Sequence, residues 1–220
     1  MSLPILYSLR CCPYAMRARL AILLAKQSVL LRDIVMKNMP VEMLAASAKA
    51  TVPLLILDDG SIIDESLQIM IWALNINDPN NLLCTEQENA LTKMLTIISR
   101  NDNEFVYYLE KYKVTARHHD IAETFYRQQC ELFIEQLEQT LSAHDYIMSN
   151  TPCLVDYAIL PFVRQFSRVD RKWYLQAPYP HLRSWLERHF QNPLFSKTMK
   201  KYPKWLTGNA EMVFGDYPTP

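Results

Sequence analysis

Glycine is nearly missing, with three residues in a chain of 220. So little glycine speaks against Gly-rich phosphate loops and for long helices, which seldom need left-handed backbone. Thirteen prolines beside three glycines also exclude collagen and low-complexity disorder. Charge of one sign is missing too: Lys+Arg and Asp+Glu each total 23. No basic field is available to hold nucleic acid, and there is no acidic tail. The stretch from Arg164 to Lys204 is locally basic and reads as a solvated helical face, with an anionic partner the less favoured reading. Long apolar runs are missing as well. The longest uncharged helical run, Ser66 to Asn77, is too short for a bilayer, and no basic-then-apolar leader opens the chain. Cys11, Cys12, Cys84, Cys130 and Cys153 form an odd, scattered set. They point to reduced thiols in a cytosol rather than a disulfide framework. The expectation is a cytoplasmic protein with no membrane and no nucleic-acid partner.

The first 75 residues alternate strand and helix signals. Ile5 to Ser8 is a short apolar strand. Cys12-Pro13 opens a helix with Met16, Leu20, Leu23 and Leu24 at helical spacing, and Arg17 and Arg19 between them. Val29 to Val35 reads as a strand, and Pro40 to Ala48 as a short helix with Met43 and Leu44 inward. Leu54–Leu57 and Ser61–Ile63 flank Asp58-Asp59-Gly60, a hairpin signal because the turn needs positive φ. Glu65 to Leu74 is an apolar helix. The order βαβ-α-ββ-α suits a small mixed sheet covered by helices. Residues 76–85 are turn-rich and read as a linker. Strand signals then stop. Thr85–Tyr112 and Asp120–His144 read as long helices, the second with Phe125, Leu132, Phe133, Leu137 and Leu141 on one face. Leu154–Val169, Pro180–Phe190 and Pro193–Tyr202 complete an all-helical part spanning residues 86–220.

Cys12-Pro13-Tyr14 at a strand-to-helix junction is the most informative feature. Proline fits the first helical position, which makes Cys12 the N-cap. The exposed N–H groups and the positive helix end favour a thiolate there, and Arg10 and Arg17 add positive charge. A buried structural cysteine is the bland alternative. Position 15 is alanine, so a Cys-x-x-Cys dithiol is excluded, and vicinal Cys11 pairs with Cys12 only under strain. Redox work at Cys12 is therefore monothiol work resolved by an external thiol. Val52-Pro53 reads either as strand punctuation or as a turn that presents the Val52 backbone to a peptide-like ligand. Glu65-Ser66 is either an ordinary helix start or a carboxylate-binding helix N-terminus, with Glu65 for a ligand amine. His118-His119 lacks partners at ligand spacing and reads as a surface turn, so no metal site is expected.

Taken together, Cys12-Pro13-Tyr14-Ala15-Met16-Arg17-Ala18-Arg19, Val52-Pro53 and Asp64-Glu65-Ser66 resemble the cytosolic glutathione S-transferases over nearly the whole chain. The resemblance implies a thioredoxin-like domain at 1–75 and a helical-bundle domain at 86–220. It implies glutathione as co-substrate, no metal, and a homodimer. Val52 would hold the cysteinyl backbone of glutathione before a cis Pro53, Glu65 and Ser66 its γ-glutamyl end, and Lys37 its glycyl carboxylate. Cys12 stands where many members carry Tyr or Ser, which is similar to the omega-type and glutaredoxin-related members. That favours thiol transfer or reduction with a disulfide substrate. The alternatives are conjugation to a small electrophile, or a non-catalytic binding module. Leu154-Val155-Asp156-Tyr157-Ala158-Ile159 resembles the family's helix-capping motif with Asp156 as the cap. Cys153 replaces its usual Ser or Thr, which implies that Thr151 substitutes or the cap is weaker.

Overall fold

The computed structural model describes residues 2–205 and 211–215. The chain forms two compact units, one built from residues 1–80 and 192–220, the other from 81–191.

The first unit starts with β1 (Ile5–Ser8), α1 (Pro13–Leu24), β2 (Ser28–Asp33) and α2 (Val41–Ala46). It continues with β3 (Leu54–Ile56), β4 (Ile62–Ile63) and α3 (Ser66–Ile76). Pro13 occupies the first turn of α1, where a missing N–H breaks no helical bond. The hairpin between β3 and β4 turns at Gly60, whose φ of +83° supplies the left-handed residue the Asp-Gly pair announces. In α2, Met43 is fully buried but Leu44 is exposed, so only the first of the two expected inward residues is inward.

The second unit is helical: α4 (Ala90–Arg100), α5 (Val106–His118), α6 (Glu123–Leu141), α7 (Leu154–Val169), α8 (Arg171–Gln176) and α9 (Pro180–Gln191). The expected single helix over Thr85–Tyr112 starts later and is interrupted. A π turn at Asn101–Phe105 joins α4 to α5. In α6 the buried stripe is Cys130, Phe133, Ile134, Leu137 and Leu141. Phe125 and Leu132, expected on that face, are exposed, because the 3.6-residue period runs through 130, 134, 137 and 141 instead. Phe105, Phe133 and Phe166 pack as a tilted aromatic group, with ring centroids 5.0 and 5.9 Å apart.

The chain then returns to the first unit with α10 (Pro193–Thr198) and β5 (Met212–Gly215). The strand order is β4-β3-β1-β2-β5. β1 and β2 are parallel, and the other three pairings are antiparallel. The thioredoxin-like domain followed by a helical domain is as expected, but the part beyond residue 86 is not helical to its end. Met212-Val213-Phe214 is too short an apolar run to read as a strand, and only its pairing with Ser28–Leu31 makes it one. At Gly215 a Cβ would collide with the Gln27 carbonyl oxygen, so only glycine fits that close approach.

Candidate active site

Strand directions bring distant segments to one end of the sheet. The C-terminal end of β1 leads to Cys12. Tyr7 pairs with Leu54, so antiparallel β3 begins at that same end, just after Val52-Pro53. Leu55 pairs with Ile63, so β4 finishes there and feeds Glu65-Ser66. Ser8 pairs with Asp33, so β2 also ends there, before Lys37.

Cys12 is the N-cap of α1, with extended backbone (φ −75°, ψ 125°), and its carbonyl accepts the Met16 N–H at 2.9 Å. Its sulfur makes no capping bond to the first turn. The thiol instead faces the Val52 carbonyl oxygen at 3.8 Å. Beneath them lies an apolar cluster of Tyr7, Ala15, Ile34, Met43, Val52, Leu54 and Trp205, with Cys12 packed against it. The Val52–Pro53 peptide bond is cis.

Glu65 is the N-cap of α3, and Ser66, the first helical residue, is 5% exposed. The Glu65 carboxylate is not idle. Lys49 Nζ donates to Glu65 Oε1 at 2.7 Å and to Asp64 Oδ1 at 3.1 Å. Ser66 Oγ accepts from Arg17 Nη1 at 3.5 Å. Arg17 and Arg19, read from the sequence as polar residues beside an apolar face, are both fully buried. Arg17 lies over the Tyr14 ring at 5.7 Å. Arg19 donates to Ser8 Oγ at 2.8 Å and pairs with Asp33 at 2.9 Å, while Lys204 reaches the other Asp33 oxygen at 2.8 Å. The Arg10 main-chain N–H donates to Asp33 Oδ1 at 3.2 Å. Lys37 is exposed in a turn closed by the Val35–Asn38 bridge.

In the second unit, Asp156 caps α7. Its carboxylate accepts the N–H groups of Cys153 (2.9 Å) and Ile147 (3.0 Å) and the Trp185 indole N–H (2.9 Å). Cys153 completes a reciprocal capping box, with its thiol 3.3 Å from Asp156 Oδ2. The Thr151 hydroxyl lies against Ser149 instead, so Cys153 fills the position itself. Burial pushes the Asp156 carboxyl up, against the four hydrogen bonds that favour its charged form.

Lys49, Ser47 and the Arg17–Ser66 contact were not found from sequence. All depend on long-range approach, and no local pattern announces them. Among the described residues no group of three or more His, Cys, Asp or Glu side chains is placed to hold a metal ion. No described helix is long and apolar enough to cross a membrane.

The N-terminal domain model of glutathione S-transferases matches residues 6–81, and the C-terminal domain model matches residues 112–188. No curated protein matches the sequence. Solved structures share the fold at low identity. A glutathione transferase family member from Pseudomonas fluorescens pf-5, solved with two glutathiones bound, is 14% identical, with TM-score 0.78 over 90% of this chain and 92% of that one. A possible glutathione S-transferase from Rhodopseudomonas palustris is 17% identical, with TM-score 0.75 over 91% and 100%. Poplar glutathione transferase F1 is 14% identical, with TM-score 0.76 over 90% and 97%.

Proposed function

The chain belongs to the glutathione S-transferase family, and from that premise we propose that it is a glutathione-dependent thiol transferase with Cys12 as nucleophile. The observation that carries the reading is the position of Cys12: a cysteine at the N-cap of α1, 3.8 Å from the Val52 carbonyl. The positive end of α1 favours its thiolate. The Val52 main chain pairs with the cysteinyl backbone of glutathione. Glu65 takes the γ-glutamyl ammonium, and Ser66 with the first N–H groups of α3 takes the adjacent carboxylate. Arg17, buried behind Ser66, supports that negative charge. Lys37 takes the glycyl carboxylate. This arrangement is like that of omega-type and glutaredoxin-related members. A homodimer and a cytoplasmic setting belong to the same reading.

The reaction has two exchanges. The Cys12 thiolate attacks the glutathionyl sulfur of a mixed disulfide, forming a Cys12–glutathione disulfide and releasing the other thiolate, which takes up a proton. A second glutathione, as its thiolate, attacks the glutathionyl sulfur held by Cys12. Oxidised glutathione leaves and the Cys12 thiolate returns. The competing reaction is conjugation, in which the site only stabilises the glutathione thiolate.

The test is intact mass after incubation with oxidised glutathione, for wild type, Cys11→Ala and Cys12→Ser. The expected result is one glutathione added, kept in Cys11→Ala, absent in Cys12→Ser, and removed by reduced glutathione. A wild-type chain that forms no adduct at Cys12 sinks the thiol-transfer reading.

A further inference from the structure

Lys49 belongs to none of the motifs that point to glutathione, yet it sits on the carboxylate assigned to the ligand's amine. It lies in the loop between α2 and β3, the loop that also carries Val52. Besides its bonds to Glu65 and Asp64, its N–H donates to Ser47 Oγ at 3.3 Å. Ser47 Oγ in turn donates to the second Asp64 oxygen at 3.2 Å. The loop is thus tied to the N-terminus of α3. Lys49 and Glu65 are both about half exposed, with side-chain exposures of 51% and 59%, so the pair is within reach of a ligand. The hydrogen bonds that Lys49 donates to Glu65 and then Asp64 raise its pKa above the ordinary lysine value.

One ammonium faces two carboxylates. A ligand ammonium arriving at Glu65 displaces Lys49 from that carboxylate, but Lys49 keeps its pair with Asp64. A ligand without an ammonium displaces nothing. Glu65 then stays neutralised by Lys49, and the ligand's α-carboxylate does not meet a bare like charge. A site with Glu65 alone would repel such a ligand.

We propose that Lys49 is a specificity residue that stands in for the ligand's α-ammonium, so that the site also accepts γ-glutamyl thiols whose α-amine is absent or acylated. The inference rests on the reading of Glu65 as the γ-glutamyl contact. It broadens the substrate class of the same site to amine-blocked glutathione derivatives.

Calorimetric titration of the full chain tests it, with glutathione and with desaminoglutathione, which carries hydrogen in place of the α-amine. Wild type, Lys49→Met and Glu65→Gln are compared. In wild type the two dissociation constants differ by less than about tenfold. In Lys49→Met the desamino ligand weakens relative to glutathione by a further tenfold or so. In Glu65→Gln the two ligands bind alike, because neither an amine nor a repelling charge matters there. A ratio that is the same in wild type and Lys49→Met overturns the role of Lys49 and leaves the glutathione site standing. So does a wild type that takes glutathione and rejects the desamino ligand. A wild type that binds neither ligand removes the γ-glutamyl reading itself, and the role of Lys49 with it.

Discussion

The Cys12 sulfur faces the main-chain carbonyl of Val52 across 3.8 Å, although the two residues lie forty positions apart in sequence. The proposed nucleophile and the backbone proposed to align glutathione therefore lie at one end of the sheet. Cys12→Ser keeps the shape of that end and removes the sulfur. Reduction of a glutathione mixed disulfide should fall to the uncatalysed background. Any conjugating activity should persist in the same variant. Parallel rate measurements with a disulfide and an electrophile separate the two. Retained disulfide reduction in Cys12→Ser would exclude Cys12 as the nucleophile.

Asp33 holds two cations of very different standing. Arg19 is fully buried, whereas the Lys204 side chain is 45% exposed. Asp33→Ala leaves the Arg19 guanidinium buried without its carboxylate and should cost about 3–5 kcal/mol of stability. Lys204→Ala removes an ion pair open to water on one side and should cost about 1 kcal/mol or less. Urea unfolding of the two variants measures the difference, and equal losses would contradict this ranking.

Asp156 satisfies two buried main-chain N–H groups and the Trp185 indole N–H. Asp156→Ala leaves three buried donors without an acceptor, at about 1–3 kcal/mol for each group that stays dry. A loss of about 3–5 kcal/mol is expected. A midpoint shift equivalent to less than about 1 kcal/mol in denaturant unfolding would mean that water or a neighbouring carbonyl replaces the carboxylate.

His189 sets a pH dependence. Its ring lies among Trp185 at 4.8 Å and Tyr157 at 5.3 Å, and its Nε2 is buried without a partner. Burial, assisted by Arg188, pushes its pKa down to about 4. The folded state therefore keeps His189 neutral where the unfolded chain, with an ordinary value near 6.5, takes up a proton. Its share of stability is present above about pH 6.5 and is lost as pH falls toward 4, to a total of about 3 kcal/mol. His189→Leu should flatten that slope. The check is the stability difference between wild type and variant at several pH values, and a difference that does not change with pH would refute it.

Elements with local signals were legible in the sequence. Pro13 marked the start of α1, and the Asp59-Gly60 pair marked the hairpin. The strand-and-helix order up to Ile76 followed from short apolar runs. What stayed hidden depended on distant partners. Arg17 and Arg19 fall between the apolar positions of α1 with no local sign of burial, and Ser66 and Asp33, which they meet in the fold, are distant in sequence. The π turn at Asn101–Phe105 leaves no period of its own to read. Phe125 and Leu132 misled because apolar residues on a helix need not all face the core. At the candidate site the Cys-Pro, Val-Pro and Glu-Ser pairs were visible as motifs. Lys49, which answers Glu65 from sixteen residues away, was not.

The return of β5 to β2 bears on how the protein is made. On the ribosome β1 to β4 emerge before β5, and until then their sheet keeps an uncovered β2 edge. That edge stays open while all of residues 81–191 are synthesised, and closes only when Met212–Gly215 follows. The nascent chain therefore carries an exposed pairing edge from the synthesis of β2 to that of β5, the kind of surface that chaperones shield. A chain released after Gln191 but before Met212 has every residue of its second unit and an unfinished first one. Loss of the codons for Met212–Gly215 would thus strike the unit that begins with β1.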